Sequence, residues 1–137
     1  MESERGIGSS RILMRMRFAQ DSADGAHQIR AYADGEFRVG ERRVQGAMIL
    51  SATEILEAPE LHTVADIGAA HVARILALDP AVVLLGTGAV QRFPEPWLAA
   101  QFWSKNIGFE VMDTGAACRT FNVLVAERRR AVAALLP

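Results

Sequence analysis

The chain has 137 residues, of which 50% are hydrophobic and 23% are charged, and its formal net charge is −1. This length suits one domain, and the composition is typical of a folded globular protein rather than a disordered one. The near-neutral charge gives no electrostatic reason to bind a phosphate backbone, so we expect no nucleic-acid partner. With a single cysteine, Cys118, the chain can form neither an internal disulfide nor a multi-cysteine metal site.

Residues 1–23 are predicted to form a flexible tail. The apolar residues of this stretch are interrupted by Arg11, Arg15 and Arg17, whereas a secretory signal needs a continuous apolar core. The chain also lacks the roughly 18–20 consecutive apolar residues that a membrane span requires. We therefore expect a cytoplasmic protein with one domain over 24–137. Its arginine- and alanine-rich composition is typical of a GC-rich bacterial genome.

The segment 27–64 is predicted to form short antiparallel strands, because apolar and polar residues alternate within 29–31 and 37–39. Asp34-Gly35 lies between these two stretches and is typical of a two-residue hairpin turn, since glycine accepts a positive φ. We interpret this segment as a small antiparallel layer with a structural role.

The second half is predicted to alternate strands with helices. A continuous apolar run at 81–85 indicates a strand that is covered on both faces, and further strands are predicted over 109–112 and, from its apolar residues, over 131–136. Helices are predicted between them over 66–78, from about 96 to 105 and over 116–127. Asp66 is predicted to cap the first helix. The fold class is therefore α/β: a single three-layer domain with a central mixed β-sheet, an N-terminal antiparallel hairpin layer and flanking helices.

Two glycine-bearing loops form a candidate ligand site. Gly86-Thr87-Gly88 follows one buried strand, and Thr114 lies where the next strand gives way to a helix. Such loops converge at the carboxyl ends of strands, where helix N-termini present N–H groups that suit an anion. Gln91 stands where a dinucleotide fingerprint has its third glycine, and no Gly-Lys-Ser/Thr follows. We therefore predict neither a dinucleotide site nor a nucleotide-binding P-loop.

Arg119, Thr120 and Asn122 extend this candidate site along the helix. Arg119 and Asn122 are three residues apart and so share a face. A guanidinium beside helix amides suits a carboxylate or a phosphate. The alternative is structural: Arg119 pairs with Asp113 or Glu127, while Thr120 and Asn122 satisfy loop carbonyls. Both interpretations stay open at this point.

Two features are candidates for a protein interface. Trp97 and Trp103 lie six residues apart on a predicted helix, so we expect at least one of them to be exposed, as is common at interfaces. Arg128 and Arg129 belong to a basic turn before the last strand. This turn is most simply a solvated one, favourable at a helix C-terminus; alternatively it docks an acidic partner.

No recognisable catalytic or metal-binding set appears in the sequence. Cys118 has no histidine close to it in the chain, so we interpret it as a buried, inert thiol. His27, His62 and His71 are widely spaced and show no metal-ligand pattern. We expect neither a cofactor nor a metal, and the sequence favours a non-enzymatic role over an enzymatic one.

From about Asp24 to its end the chain resembles one particular family, and the resemblance is weaker in the hairpin region. The resemblance is carried by Leu84-Leu-Gly-Thr-Gly88, by Gly108-Phe-Glu-Val-Met-Asp-Thr-Gly-Ala-Ala-Cys-Arg-Thr-Phe-Asn122, by Leu124-Val-Ala-Glu-Arg128 and by Val132-Ala-Ala-Leu-Leu136. These residues are similar to the family of the mitochondrial NADH:ubiquinone oxidoreductase (complex I) assembly factor 3 and its bacterial and archaeal relatives. The resemblance implies a three-layer α/β fold with a central mixed sheet and, for the mitochondrial members, a role in assembling a respiratory complex. It carries over no catalytic residue.

Two functional hypotheses follow. The first is a non-enzymatic interaction module, an assembly or chaperone-like factor that docks a protein partner through the aromatic helix and the arginine turn. The second is a small-molecule or anion-binding protein, or an enzyme, with its site between the Gly86–Gly88 loop and Arg119. The resemblance and the missing catalytic set favour the first hypothesis.

Overall fold

The computed structural model describes residues 16–17 and 25–137, which build a five-stranded mixed sheet with a layer on each face. The strands are β1 (Met16–Arg17), β2 (Ile29–Ala33), β3 (Glu36–Val39), β4 (Arg42–Gln45), β5 (Met48–Leu50), β6 (Ile55–Glu57), β7 (Val82–Thr87), β8 (Gly108–Met112) and β9 (Ala131–Leu136). The helices are α1 (Ala69–Leu76), α2 (Pro96–Trp103) and α3 (Thr114–Ala126), and a 3-10 turn spans Val64–Asp66.

The central sheet has the strand order β6-β5-β9-β7-β8. Strand β7 runs parallel to both β8 and β9, whereas β5 runs antiparallel to β6 and β9. The other four described strands form an antiparallel sheet in the order β1-β2-β3-β4. All six residues of β9 are buried, as a strand covered on both faces requires.

Alternation along β7 divides the core into two halves. Val83 and Leu85 pack with Phe102 of α2 on one face of the central sheet. Leu84 packs on the other face, with Phe121 of α3 and Phe37 of the small sheet. This arrangement follows from the two-residue period of a strand. The predicted fold class, with its mixed sheet, antiparallel hairpin layer and flanking helices, is confirmed.

Two local predictions have different outcomes. Asp34 and Gly35 take φ values of 53° and 75°, and Ala33 pairs with Glu36, so the predicted hairpin turn is confirmed. The predicted cap at Asp66 is wrong, because α1 begins at Ala69.

Asp66 serves a different local purpose. Its carboxylate accepts the backbone N–H groups of His62 at 2.8 Å and Thr63 at 2.9 Å, which closes the 3-10 turn before the helix. The local hydrogen bonds of an acidic residue therefore fix the turn rather than the helix start.

The predicted tail over 1–23 lies outside the described residues apart from Met16 and Arg17, which pair with Tyr32 and Ala31. The division into a tail and a domain over 24–137 stays a prediction. Within the described part of the chain, no helix combines the length and the apolar character needed to cross a membrane.

Candidate functional site

The two glycine-bearing loops meet, and we call the cluster of Gly86, Thr87, Gly88 and Thr114 the glycine rim. The N–H of Gly88 donates to Thr114 Oγ1 at 2.7 Å, and the N–H of Thr114 donates back to the Gly88 carbonyl at 2.8 Å. The Thr114 hydroxyl in turn donates to the Leu136 carbonyl at 2.6 Å. Thr114 is fully buried, so it joins the ends of β7, α3 and β9 through one side chain.

Glycine is required at the rim because the backbones approach closely. A Cβ at Gly86 would lie 3.0 Å from the Cα of Thr114, and Gly88 has a φ of 102°. The neighbouring polar groups are also satisfied within the protein. Thr87 donates its hydroxyl to the Val90 carbonyl at 2.7 Å and accepts the Arg92 N–H at 3.0 Å.

Helix α3 starts at this rim with the cap that the sequence offers. Asp113 takes an extended conformation, and its Oδ1 accepts the N–H of Ala116 at 2.8 Å. One of the N–H groups that we expected to face a ligand is therefore paired with a side chain of the protein.

The remaining residues of the candidate ligand site do not join the rim. Asn122 is buried, and its amide accepts the N–H of Ile29 and donates to the Ile29 carbonyl, both at 2.9 Å. The Thr120 hydroxyl lies 3.6 Å from the Met112 sulfur. These bonds agree with the structural alternative for Asn122, although its partner lies on β2 rather than in a neighbouring loop.

Arg119 is exposed, about 7.5 Å beyond Thr114 along the helix axis. It forms no ion pair with Asp113 or Glu127, so the alternative in which Arg119 pairs with either acid is wrong. Gly86, Thr87, Gly88 and Thr114 thus come together, whereas the guanidinium stands in solvent. A role of these residues in ligand binding stays a prediction.

The described residues that titrate near this site do not form a catalytic set. Cys118 is buried, and burial raises the pKa of its thiol far above its ordinary range, so the reactive thiolate is suppressed. Burial likewise raises the pKa of Tyr32, which lies beside the same helix. Nowhere in the described part of the chain do three histidine, cysteine or acidic side chains gather as a metal site would require.

A second region of interest is the exposed aromatic surface formed by Phe93, Trp97 and Trp103. These side chains are 76%, 40% and 63% exposed. Helix α2 buries Leu98 and Phe102, which are four residues apart, against the central sheet. Both tryptophans lie off that stripe because their positions fall on other faces of the helix.

Two grooves flank this aromatic surface. The first has a volume of about 330 Å³ and lies between the 3-10 turn and the segment that includes Phe93 and Trp97. The second has a volume of about 290 Å³ and runs between the Phe93–Pro96 segment, Trp103 and strand β8. Phe93 lines both grooves, so the three aromatic side chains belong to one continuous surface.

Sequence reasoning did not single out Phe93. The available indication was its context, Arg92-Phe93-Pro94, which lies between strand β7 and helix α2 and has no apolar periodicity to bury a large ring. An aromatic residue beside proline in a connecting segment is therefore the pattern that would have found it.

The arginine turn lies at the opposite ends of the central strands from the glycine rim. Arg128 has a φ of 61°, Arg129 is exposed, and the Arg130 guanidinium lies 3.5 Å from the Asp79 carboxylate. Ala81 donates its N–H to the Arg130 carbonyl at 2.7 Å and accepts the N–H of Gly108 at 3.1 Å. The turn therefore lies beside the amino ends of β7 and β8.

Comparison with known proteins places the chain in a family. A family model described as "Protein of unknown function (DUF498/DUF598)" matches residues 29–136. The chain belongs to this family. It is similar to the NADH dehydrogenase [ubiquinone] 1 alpha subcomplex assembly factor 3 of Danio rerio, with 31% identity over 120 residues that cover 86% of this chain and 68% of the relative. The resemblance to the assembly factor 3 family is confirmed.

Two further relatives have different descriptions. A "13 kDa major membrane protein" of Francisella tularensis is 32% identical over 99 residues, which cover 72% of this chain and 80% of that protein. A crystal structure of a protein from Bordetella parapertussis has 36% identity and a TM-score of 0.76 and covers 85% of this chain and 99% of that one. The predicted cytoplasmic location and bacterial origin stay predictions.

Proposed function

We propose that this protein is a non-enzymatic interaction module that docks a protein partner during the assembly of a protein complex. The similarity to an assembly factor from Danio rerio supports the assembly role. The observation that carries the docking role is the aromatic surface, where Phe93, Trp97 and Trp103 stand exposed around two adjoining grooves.

Exposed aromatic side chains of this kind favour a protein partner for an energetic reason. Each large apolar side chain gains roughly 1.5–3 kcal/mol when it leaves water. Single exposed apolar residues are ordinary, but contiguous ones mark interaction sites. Tryptophan is also among the residues that contribute most to measured interface energies.

The arginine turn adds a second part to this proposal. Arg128 and Arg129 lie beside the amino ends of β7 and β8, and Arg129 is exposed. An exposed basic turn accelerates association with an acidic region of a partner more than it raises the final affinity. The small-anion hypothesis receives no comparable support, because the rim N–H and hydroxyl groups already have partners within the protein.

The test is affinity capture from the native host with the wild-type chain and two variants. Trp103→Ser removes the exposed indole, and we expect it to reduce recovery of the partner about tenfold. Val123→Ser is the matched control, since Val123 is 55% exposed on α3, which covers the other face of the central sheet. We expect it to recover the partner as well as the wild type does.

The two ways in which this result can fail are distinct. A reproducible partner that Trp103→Ser captures at the wild-type level would remove the aromatic surface from the proposal. The absence of any reproducible partner at native expression would overturn the proposal itself. The melting temperatures of the three proteins are measured as a control, because equal values would show that a loss of capture is not a loss of folding.

A further inference from the structure

Strand β8 is an edge strand beside the aromatic surface. Among the described strands it pairs only with β7, in a parallel register that places Val82 opposite Gly108 and Gly86 opposite Met112. Its other side is therefore open to pairing with an additional strand.

The direction of the backbone groups along β8 follows from two hydrogen bonds. The N–H of Gly108 donates to the Ala81 carbonyl, so the backbone groups of Gly108 face β7. The Val111 carbonyl faces away from β7 and accepts Gln91 Nε2 at 2.9 Å. Because successive residues of a strand alternate in direction, Phe109 and Val111 present their N–H and C=O groups to the outer edge.

The second groove runs along this same edge. It is lined by Phe109, Glu110 and Val111 of β8 and, across from them, by Pro94 and Trp103 among others. A strand added at the edge would place alternate side chains in this groove, against the exposed Trp103 ring. The edge thus combines backbone pairing with an apolar pocket, the two elements of strand addition.

The charges of the groove select the chemistry of its occupant. Its two charged lining residues are Glu95 and Glu110, both exposed, and neither forms an ion pair with another described residue. Antiparallel pairing of β8 with a second copy, centred on Glu110, would bring two like charges opposite each other, which is destabilising. A basic side chain at the same position would form a favourable cross-strand pair.

We propose that β8 accepts an extended segment of a partner protein by strand addition, with a lysine or arginine opposite Glu110 and apolar residues on either side of it. The added strand pairs with the outer N–H and C=O groups of Phe109 and with the outer N–H of Val111, whose carbonyl already accepts Gln91, and its apolar residues occupy the groove beside Trp103. This inference rests on the proposed function, for which it specifies the mode of docking and the partner's chemistry.

The probe is a short peptide with blocked ends, Thr-Val-Arg-Val-Arg-Val-Thr, and its counterpart with glutamate in place of arginine. Binding is followed by tryptophan emission in the Trp97→Phe variant, in which only Trp103 reports. We expect the arginine peptide to bind about tenfold more tightly than the glutamate peptide, and Glu110→Lys to reverse that order. Amide hydrogen exchange at Phe109 and Val111 should slow about tenfold or more on binding.

Two substitutions at Val111 distinguish backbone pairing from side-chain contact. Val111→Pro removes the outward N–H and should abolish peptide binding, while Val111→Thr keeps both the N–H and the side-chain shape and should bind as the wild type does. Should Val111→Pro not fold, N-methylation of the central peptide valine makes the same test on unchanged protein. Strand addition would be overturned if the methylated peptide bound as tightly as the unmethylated parent peptide.

The remaining outcomes distinguish this inference from the function on which it rests. A change in Trp103 emission without slower exchange at Phe109 and Val111 overturns strand addition and leaves docking at the aromatic surface intact. Self-association that Glu110→Lys changes, without peptide binding, assigns the edge to a second copy and also overturns the inference. A failed partner capture with a positive peptide result overturns the assembly role alone.

Discussion

The glycine rim has the residue types of a ligand site but has its polar groups already paired, whereas the aromatic surface is ordinary in sequence but available for binding. The rim has glycines, a hydroxyl and a helix start after a buried strand, which is the composition of an anion site. Yet Thr114 and Gly88 use these groups to bond with each other. The aromatic surface comes from an unremarkable connecting segment and one short helix, and it leaves three large rings in water.

The difference teaches that residue types indicate what a region can bind, whereas pairing decides what is still available. In the buried rim an unpaired hydroxyl or N–H would cost roughly 1–3 kcal/mol, so the fold closes such groups on one another. An exposed indole has no comparable need for a partner within the chain. Its exposure is costly only through the hydrophobic effect, and a docking protein would remove that cost.

The largest expected effect breaks the rim. Thr114→Val keeps the shape of the side chain but removes the donor to the Leu136 carbonyl and the acceptor for the Gly88 N–H. Two buried groups lose their partner, so we expect the free energy of unfolding to fall by about 2–5 kcal/mol in urea denaturation.

Thr120→Val provides the matched control for this experiment. The Thr120 hydroxyl is only partly buried and has a single weak contact, 3.6 Å from the Met112 sulfur. We expect its removal to change the free energy of unfolding by less than about 0.5 kcal/mol. Equal losses for the two variants would contradict the role of Thr114 as the junction of three elements.

An intermediate effect concerns the turn that borders the first groove of the aromatic surface. The backbone N–H groups of Thr63 and His62 hold the pKa of Asp66 below its usual value of 3.8. Because the pKa is lowered on folding, the stabilisation is present above 3.8 and is lost as the pH falls below that value.

Asp66→Asn removes this charge. We expect the variant to melt below the wild type near pH 7, and the difference in melting temperature to narrow as the pH falls below 3.8 and the wild-type carboxylate takes up its proton. A difference that stays constant between these two conditions would show that the charge of Asp66 does not hold the turn.

The smallest expected effect sharpens the contrast at Arg119. Its guanidinium is exposed, and the rim groups near it are already paired. We therefore expect inorganic phosphate to shift the melting temperatures of the wild type and of Arg119→Ala equally. A phosphate-dependent stabilisation that Arg119→Ala loses would restore the anion-site hypothesis, because a ligand that binds the native state raises its stability.

The sequence by itself determined the elements whose cause is local. The apolar run of β9 predicted the last strand, and Asp34-Gly35 predicted the first hairpin. These features depend on side-chain periodicity and on backbone preferences of single residues, which a few neighbouring positions specify. The family resemblance came from the same kind of local evidence.

The tertiary structure alone decided which polar groups are hydrogen-bonded within the protein and which apolar side chains are left exposed. Asn122 bonds to Ile29 across 93 positions of the chain, and Thr114 bonds to Leu136 across 22. Phe93 stays exposed because neither helix α2 nor strand β8 covers it. Such outcomes depend on how distant segments pack, and burial then requires every approaching donor and acceptor to be paired.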